Sequence, residues 1–375
     1  MKVYYDSEVF LLQKTGGVSR YFSKIICAYL SSPDIGIEPN FTFSKTNNQY
    51  LLNMNTSPLA QFSPISFRYF SPNNAKKVLL TYGPIKIINS SISANVKCGS
   101  SRGNIFHATY YRPNFLESLG HKNLAITVHD FIPEKMGWHG IKNPHIGKKQ
   151  LVARSDIVFC VSQTTANYLH EIYDTEPSKV HIVPHGVSDI SDSETKLNSV
   201  QRPNILYVGG RWGYKNFKQL AEAMEILWEK GVDIQLNTIG HKFSIEEVKE
   251  YFKPKFRSNW KNYENVSDIE LLKFYSRATL LVITSKDEGF GLPILEAYSQ
   301  GTHVLASDIP IFREVCGPLG KYFELGNTES LVEAIKKELD RALEFKLIGE
   351  RLLWAAKFSW INSAKKMALI YKKFA

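Results

Sequence analysis

One short plan occurs twice in this chain, and it limits the possible folds more than any other feature. Near the start, the β-prone run Lys2–Tyr5 leads through Thr15-Gly16-Gly17-Val18 into a helical pattern from about Ser19. Tyr21, Phe22, Ile25, Ile26, Tyr29 and Leu30 share one face of that helix. In the second half the strand-like run Ile205–Val208 meets Gly209-Gly210, and a helix follows over Phe217–Glu229. Further apolar runs at Asn104–His107, Leu124–Val128, Ile157–Val161 and Val180–Val183 read as strands of the first half. Ser162 is placed to cap a helix over Gln163–Tyr173. The second half adds strands at Ile234–Ile239, Leu280–Ile283 and His303–Ala306, a helix from Pro293 and another over Thr328–Leu343.

Strands that alternate with helices build parallel sheets covered on both faces. The expected class is therefore α/β, with two Rossmann-like, doubly wound parallel-sheet domains facing across a cleft. A length of 375 residues is long for one core and comfortable for two. The boundaries expected are 1–188 for the first domain and 203–359 for the second, joined by the polar linker 189–202. A site is expected in the cleft, at the carboxyl ends of both sheets.

Composition narrows the class further. The four cysteines, Cys27, Cys98, Cys160 and Cys316, form no CxxC pair, which suits free thiols in a reducing compartment. Met1–Tyr5 runs straight into Asp6 and Glu8, unlike a secretory leader, and no uncharged apolar run is long enough to span a bilayer. A cytoplasmic protein is expected. Its formal charge of +10 is uneven: Pro39–Leu116 contains no Asp or Glu. Lys76, Lys77 and other cations there are interleaved with aromatics such as Tyr69 and Phe70. Such a surface suits an anionic lipid face, which would place the protein peripherally at the inner side of the cell membrane. It would also suit a solvated face with acidic partners elsewhere, or nucleic acid, which is not expected as a partner.

Two loops carry the chemistry. Asp287-Glu288-Gly289-Phe290-Gly291-Leu292-Pro293-Ile294-Leu295-Glu296 follows an apolar strand. Its glycines let the backbone approach a ligand, and Pro293 fits the first helical position. The helix tip and its free amides then suit a diphosphate, while Glu288 and Glu296, the latter in the first turn, can accept hydrogen bonds from sugar hydroxyls. A helix start merely decorated with acids is the alternative. The second loop, Gly209-Gly210-Arg211-Trp212-Gly213-Tyr214-Lys215-Asn216, presents two cations able to neutralise a diphosphate, or else is an exposed basic loop. Gly16-Gly17 and the strand-end pair His129-Asp130 complete the set.

Together these elements resemble the family-four group of retaining glycosyltransferases with the GT-B fold. The most specific motif is the glutamate pair Glu288 and Glu296 around Gly289-Phe290-Gly291-Leu292-Pro293. Supporting matches are Gly209-Gly210-Arg211 with Lys215-Asn216, Val183-Pro184-His185-Gly186-Val187, and Val266-Ser267-Asp268 with Leu271 and Tyr275. Phe358-Ser359-Trp360 and the helix after it look like the closing helix, residues 360–375, that crosses back to the first domain in this fold.

The resemblance implies that Arg211 and Lys215 bind the donor diphosphate, that Glu288 holds the transferred sugar and that Glu296 holds the ribose. Val266 and Leu271 would contact the base. Gly210, Gly289, Phe290, Gly291 and Leu292 would line the donor. Gly16 and Gly17 would approach the phosphates from the acceptor side, and His129 would touch the sugar at the reacting centre. It implies retention by front-face replacement. With no Asp-x-Asp triplet in the chain, neither a metal nor another cofactor is expected. Ala108–Pro113 and His129–Pro133 look most like bacterial surface-polysaccharide mannosyltransferases, which implies GDP-mannose as donor and a lipid-linked oligosaccharide as acceptor. A UDP-sugar donor, a sugar-nucleotide epimerase and a nucleic-acid-binding protein are the competing readings.

Overall fold

The computed structural model describes residues 1–41, 43, 45–54, 63–64, 103–113, 123–140, 143–187, 202–341 and 345–374. Most of the acid-free stretch, Lys76 and Lys77 included, and the linker residues 188–201 lie outside them. The chain divides into two compact units, Met1–Gly186 with Trp360–Ala375, and Val187–Ser359.

The first unit is built on β1 (Lys2–Tyr5), β2 (Glu38–Phe41), β5 (Ile105–Ala108), β6 (Asn123–Val128), β7 (Ile157–Cys160) and β8 (Val180–Ile182). A separate two-residue pair, β3 (Lys45–Thr46) and β4 (Ser63–Pro64), stands apart from this sheet. The main sheet is parallel, in the order β2-β1-β5-β6-β7-β8. Its helices are α1 (Glu8–Leu12), α2 (Gly17–Ser31), α3 (Gln49–Leu52), α4 (Ile132–Lys135), α5 (Lys148–Arg154) and α6 (Gln163–Tyr173). Every residue of β5 and β7 is buried, as expected of strands covered on both faces. Ser162 caps α6 by accepting from the Thr165 amide. Helix α2 starts at Gly17, not near Ser19, because Gly16 is extended and takes the Ser19 hydroxyl on its carbonyl.

The second unit holds β9 (Asn204–Val208), β10 (Gln235–Ile239), β11 (Trp260–Tyr263), β12 (Leu280–Ile283), β13 (His303–Ser307) and β14 (Lys321–Phe323). Its helices are α7 (Phe217–Glu229), α8 (Ile245–Tyr251), α9 (Asp268–Arg277), α10 (Leu292–Ser299), α11 (Pro310–Cys316), α12 (Thr328–Arg341) and α13 (Phe345–Ala356). All strands are parallel, in the order β11-β10-β9-β12-β13-β14. This is the doubly wound arrangement, with its switch point between β9 and β12, where Leu280 lies beside Ile205. One apolar cluster runs from Ile205 and Leu220 through Trp228, Phe252 and Trp260 to Leu331 and Ile335.

The last helix, α14 (Trp360–Lys373), belongs to the first unit and packs on α2. Its inner stripe buries Trp360, Ala364, Met367, Ala368, Ile370 and Tyr371, each large side chain worth about 1.5–3 kcal/mol. Polar contacts fix its register: Tyr371 Oη lies 2.6 Å from His107 Nδ1, and Ser363 Oγ donates to the Pro184 carbonyl. No helix among the described residues is long and apolar enough to cross a membrane.

Candidate functional site

The loops that leave β9 and β12 flank the switch point of the second sheet, and direct bonds hold them together. Thr284 Oγ1 donates to the Lys215 carbonyl at 2.9 Å, and the Lys286 amide donates to the Tyr214 carbonyl at 2.7 Å. Across this seam Lys215 Nζ meets Glu288 Oε1 at 2.5 Å, and Ser285 Oγ donates to the same oxygen at 2.8 Å. Both side chains of the ion pair are partly exposed, 24% for Lys215 and 14% for Glu288, so a ligand can reach them. Ser285 is itself fixed through its carbonyl by Ser307 Oγ. Ser285, three residues before Glu288 in the same loop, is not singled out by the sequence pattern.

The β9 loop is shaped by backbone demands. Gly209 has φ +127°, which side chains rarely tolerate, and Gly240 packs so closely that a Cβ would meet the Gly209 carbonyl at 2.6 Å. Tyr207 Oη donates to the Gly210 carbonyl. Asn216 caps α7 in the left-handed region, φ +52°, directly after Lys215.

Arg211 does not join Lys215. Its guanidinium is buried, stacks on Phe243 with Cζ 3.8 Å from the ring centroid, and pairs with Glu247 through Nε and Nη2, both at 3.2 Å. Nη1 donates to the His241 carbonyl and Nη2 also donates to that of Lys242. These donors tie the loop to the start of α8. Trp212, in contrast, is exposed and stacked on His241.

After β12 the chain turns through Gly289, Phe290 and Gly291 into α10. Gly291 has φ +92°, and a Cβ there would stand 3.0 Å from the Phe312 ring. Leu292 is the first helical residue, so Pro293 occupies the second position and not the first. Glu296 accordingly falls in the second turn, deeper than expected, and is buried. Its Oε2 accepts from Tyr275 Oη at 2.8 Å, and Tyr275 is held in turn by Thr302 Oγ1 on its carbonyl. The Phe290 ring is buried and lies edge-on to Phe358. Val266 lies between Asn265, whose φ is +51°, and Ser267, which caps α9 in a capping box with Glu270. Leu271, half-buried, donates its amide to the Ser267 carbonyl.

The first unit assembles the remaining candidates. Gly17 opens α2, and a Cβ at Gly17 would meet nothing within 4 Å. One turn on, the Tyr21 ring packs edge-on against His129 at 5.0 Å, at the carboxyl end of β6. His129 is buried, its amide donates to Tyr111 Oη at 2.9 Å, and Nε2 has no hydrogen-bond partner among the described residues. Burial first, then the neighbouring His185, holds its pKa well below the ordinary value, so the ring is neutral. The peptide after it is clamped by Lys148, a fully buried ammonium that donates to the Asp130 carbonyl at 2.7 Å and pairs with Glu134 at 2.9 Å. Burial opposes the charge on Glu134, yet bonding to His145 and the charge of Lys148 hold its pKa at about 2. Sequence gave no sign of this anchor.

Two family models match the chain: Glycosyltransferase Family 4 over residues 64–189 and Glycosyl transferases group 1 over residues 189–347. The O-antigen chain mannosyltransferase RfbU of Salmonella typhimurium is 25% identical over 288 residues, 75% of this chain and 73% of the relative. The serotype-specific mannosyltransferase WbdA of Escherichia coli is 30% identical over 140 residues, 36% of this chain and only 17% of that much longer protein. Among solved structures, HepE of Anabaena superposes with a TM-score of 0.72 at 13% identity, covering 99% of both chains.

Proposed function

Because the chain belongs to family four of the glycosyltransferases and has the GT-B fold, we propose that it transfers a hexose, with retained configuration and without a metal ion, from a nucleotide sugar to a lipid-linked oligosaccharide. The observation that carries this reading is the Lys215–Glu288 pair at the switch point of the second sheet. A cation able to take a diphosphate and a carboxylate able to take sugar hydroxyls stand side by side, as the two ends of a nucleotide sugar require. Glu296, which Tyr275 steadies, accepts from the ribose hydroxyls in this reading, and the loop around Val266 serves the base.

In the reaction the bond between sugar C1 and the phosphate oxygen breaks, and its electron pair stays on the phosphate. The acceptor oxygen bonds to C1 from the same face, and its proton passes to the leaving phosphate. Lys215 and the amides at the start of α10 stabilise the charge that develops there; such preorganised charge supplies the main catalytic effect. Lys215 leaves Glu288 for the phosphate as the donor arrives, and Glu288 turns to the sugar. His129, being neutral, acts as a hydrogen-bonding group to the sugar, not as a fixed charge.

GDP-mannose as donor and surface polysaccharide as product draw support from the mannosyltransferases among the relatives. An anionic membrane surface would then carry the acceptor. The test is a thermal-shift screen over GDP, UDP, ADP and dTDP, since a bound nucleotide raises apparent stability by mass action. It is followed by transfer assays with and without EDTA. Stabilisation by GDP and EDTA-resistant, acceptor-dependent turnover are expected. Donor conversion without acceptor would mean an epimerase, and loss of turnover in EDTA would end the metal-free mechanism.

A further inference from the structure

The outward side of α14 is built unlike the solvated face of an ordinary helix. Seven of its fourteen residues are buried against the first unit. Ile361, Lys365, Lys366, Leu369, Lys372 and Lys373 are all exposed and, at about 100° per residue, fall within an arc of about 140°. Leu369 lies near the middle of that arc and is 64% exposed; Ile361, at its edge, is 42% exposed. Lysines flank Leu369 on both sides, and the helix contains no Asp or Glu. Among the described residues Lys365, Lys366 and Lys373 make no ion pair, and Lys372 donates to the Ile35 carbonyl. The positive field is felt by a neighbour: burial first, then Lys373 and Lys366, lowers the pKa of His181 on β8.

We infer that this face of α14 docks on an anionic bilayer, Leu369 and Ile361 entering the interface while the lysines meet lipid phosphates. A protruding aliphatic ringed by ammonium groups matches the chemistry of a lipid interface, apolar inside and negative at the rim. Nucleic acid would engage the lysines but leave Leu369 and Ile361 without a partner. The inference builds on the proposal of a lipid-linked acceptor, but it concerns residues other than those of the acid-free stretch, and its test needs neither donor nor turnover.

The full chain is sedimented with vesicles of phosphatidylcholine alone or mixed with phosphatidylglycerol. Binding is expected on the mixed vesicles only and should weaken with salt. Each lysine near the surface is worth about fivefold in partition, so K365E/K366E should cut binding at least tenfold. Leu369→Gln keeps the charge and should still lose several-fold. All these positions are exposed, so the melting temperature should stay unchanged, and nucleotide-induced stabilisation should persist if the glycosyltransferase reading is right. Equal binding of the variants, equal binding to neutral vesicles, loss confined to K76E/K77E in the acid-free stretch, or an effect on RNA binding in place of vesicle binding would each overturn the inference.

Discussion

Tyr275 donates from its phenol to Glu296 Oε2 at 2.8 Å, with both side chains buried. A buried hydrogen bond to a carboxylate is worth about 1.5–3 kcal/mol, and this one fixes which way Glu296 faces. Tyr275→Phe should therefore weaken nucleoside diphosphate binding by about tenfold and blunt discrimination between ribose and 2′-deoxyribose forms. Titration calorimetry with both nucleotides reads the effect. A stability loss with the ribose preference intact would show that the phenol serves packing alone.

Glycine positions should separate by backbone geometry. Gly291→Ala places a side chain at φ +92° and 3.0 Å from the Phe312 ring, so about 1–3 kcal/mol of strain is expected at the start of α10. Melting temperature and nucleotide affinity should fall together. Gly17→Ala meets open space at a helix start and should leave stability unchanged or raise it by up to about 1 kcal/mol. Thermal melts with and without nucleotide distinguish the two.

The parallel sheets were legible because their inner strands, such as Leu280–Ile283 and Ile157–Cys160, are buried on both faces and read as continuous apolar runs. Of the four edge strands of the two main sheets, Val180–Ile182 was legible and the other three escaped for the converse reason. Glu38–Phe41, Trp260–Tyr263 and Lys321–Phe323 carry polar residues at half-exposed edges and show no pattern that separates them from loop. Helix α13 was missed as well; its twelve residues, like those of the edge strands, take their place from packing. At the site, glycine turns and the glutamate spacing are local signals, hence visible. The partner of Arg211 is Glu247, thirty-six positions away on α8, and no local pattern announces it. The same holds for Lys148 beneath the peptide after His129, eighteen positions from the carbonyl it holds.

Glu8 should make the first unit less stable as pH rises. Burial, and then the neighbouring Asp6, raise its pKa to about 8, against the opposing pull of Arg112. Between the unfolded value near 4.5 and about 8, the folded state holds a proton that the unfolded chain has lost, so stability falls with rising pH in that window. Glu8→Gln mimics the protonated form. It should flatten this slope, with a melting temperature about 2–4 °C above the parent at pH 8 and no gain at pH 4. Parallel pH profiles of the two proteins would reject the idea.

Two arginines of the second unit offer a contrast in burial. Arg351 is buried, donates to the Gly301 carbonyl at 3.0 Å, and lies 2.9 Å from His303 Nδ1, whose other nitrogen meets Glu338. Removing it as Arg351→Met leaves polar atoms without partners and should cost about 3–5 kcal/mol. Arg313 forms a bidentate pair with Asp308 at an exposed position, and Arg313→Met should be indistinguishable from the parent in a denaturant melt.

The strictest test of the donor loop lies in Arg211 and Glu247. If the guanidinium anchors the loop, removing either partner frees the same turn. Arg211→Ala and Glu247→Ala should then each lower turnover by about tenfold, with the double variant no worse than the more affected single, as coupled residues require. Stability should drop most in Arg211→Ala, which also vacates the face of Phe243 and leaves the His241 and Lys242 carbonyls short of a donor. Were Arg211 instead to leave Glu247 for the diphosphate, Glu247→Ala would release it and tighten nucleotide binding. Nucleotide titration of the Glu247 variant therefore decides between an arginine that shapes the loop and one that grips the ligand, because the two roles predict opposite signs.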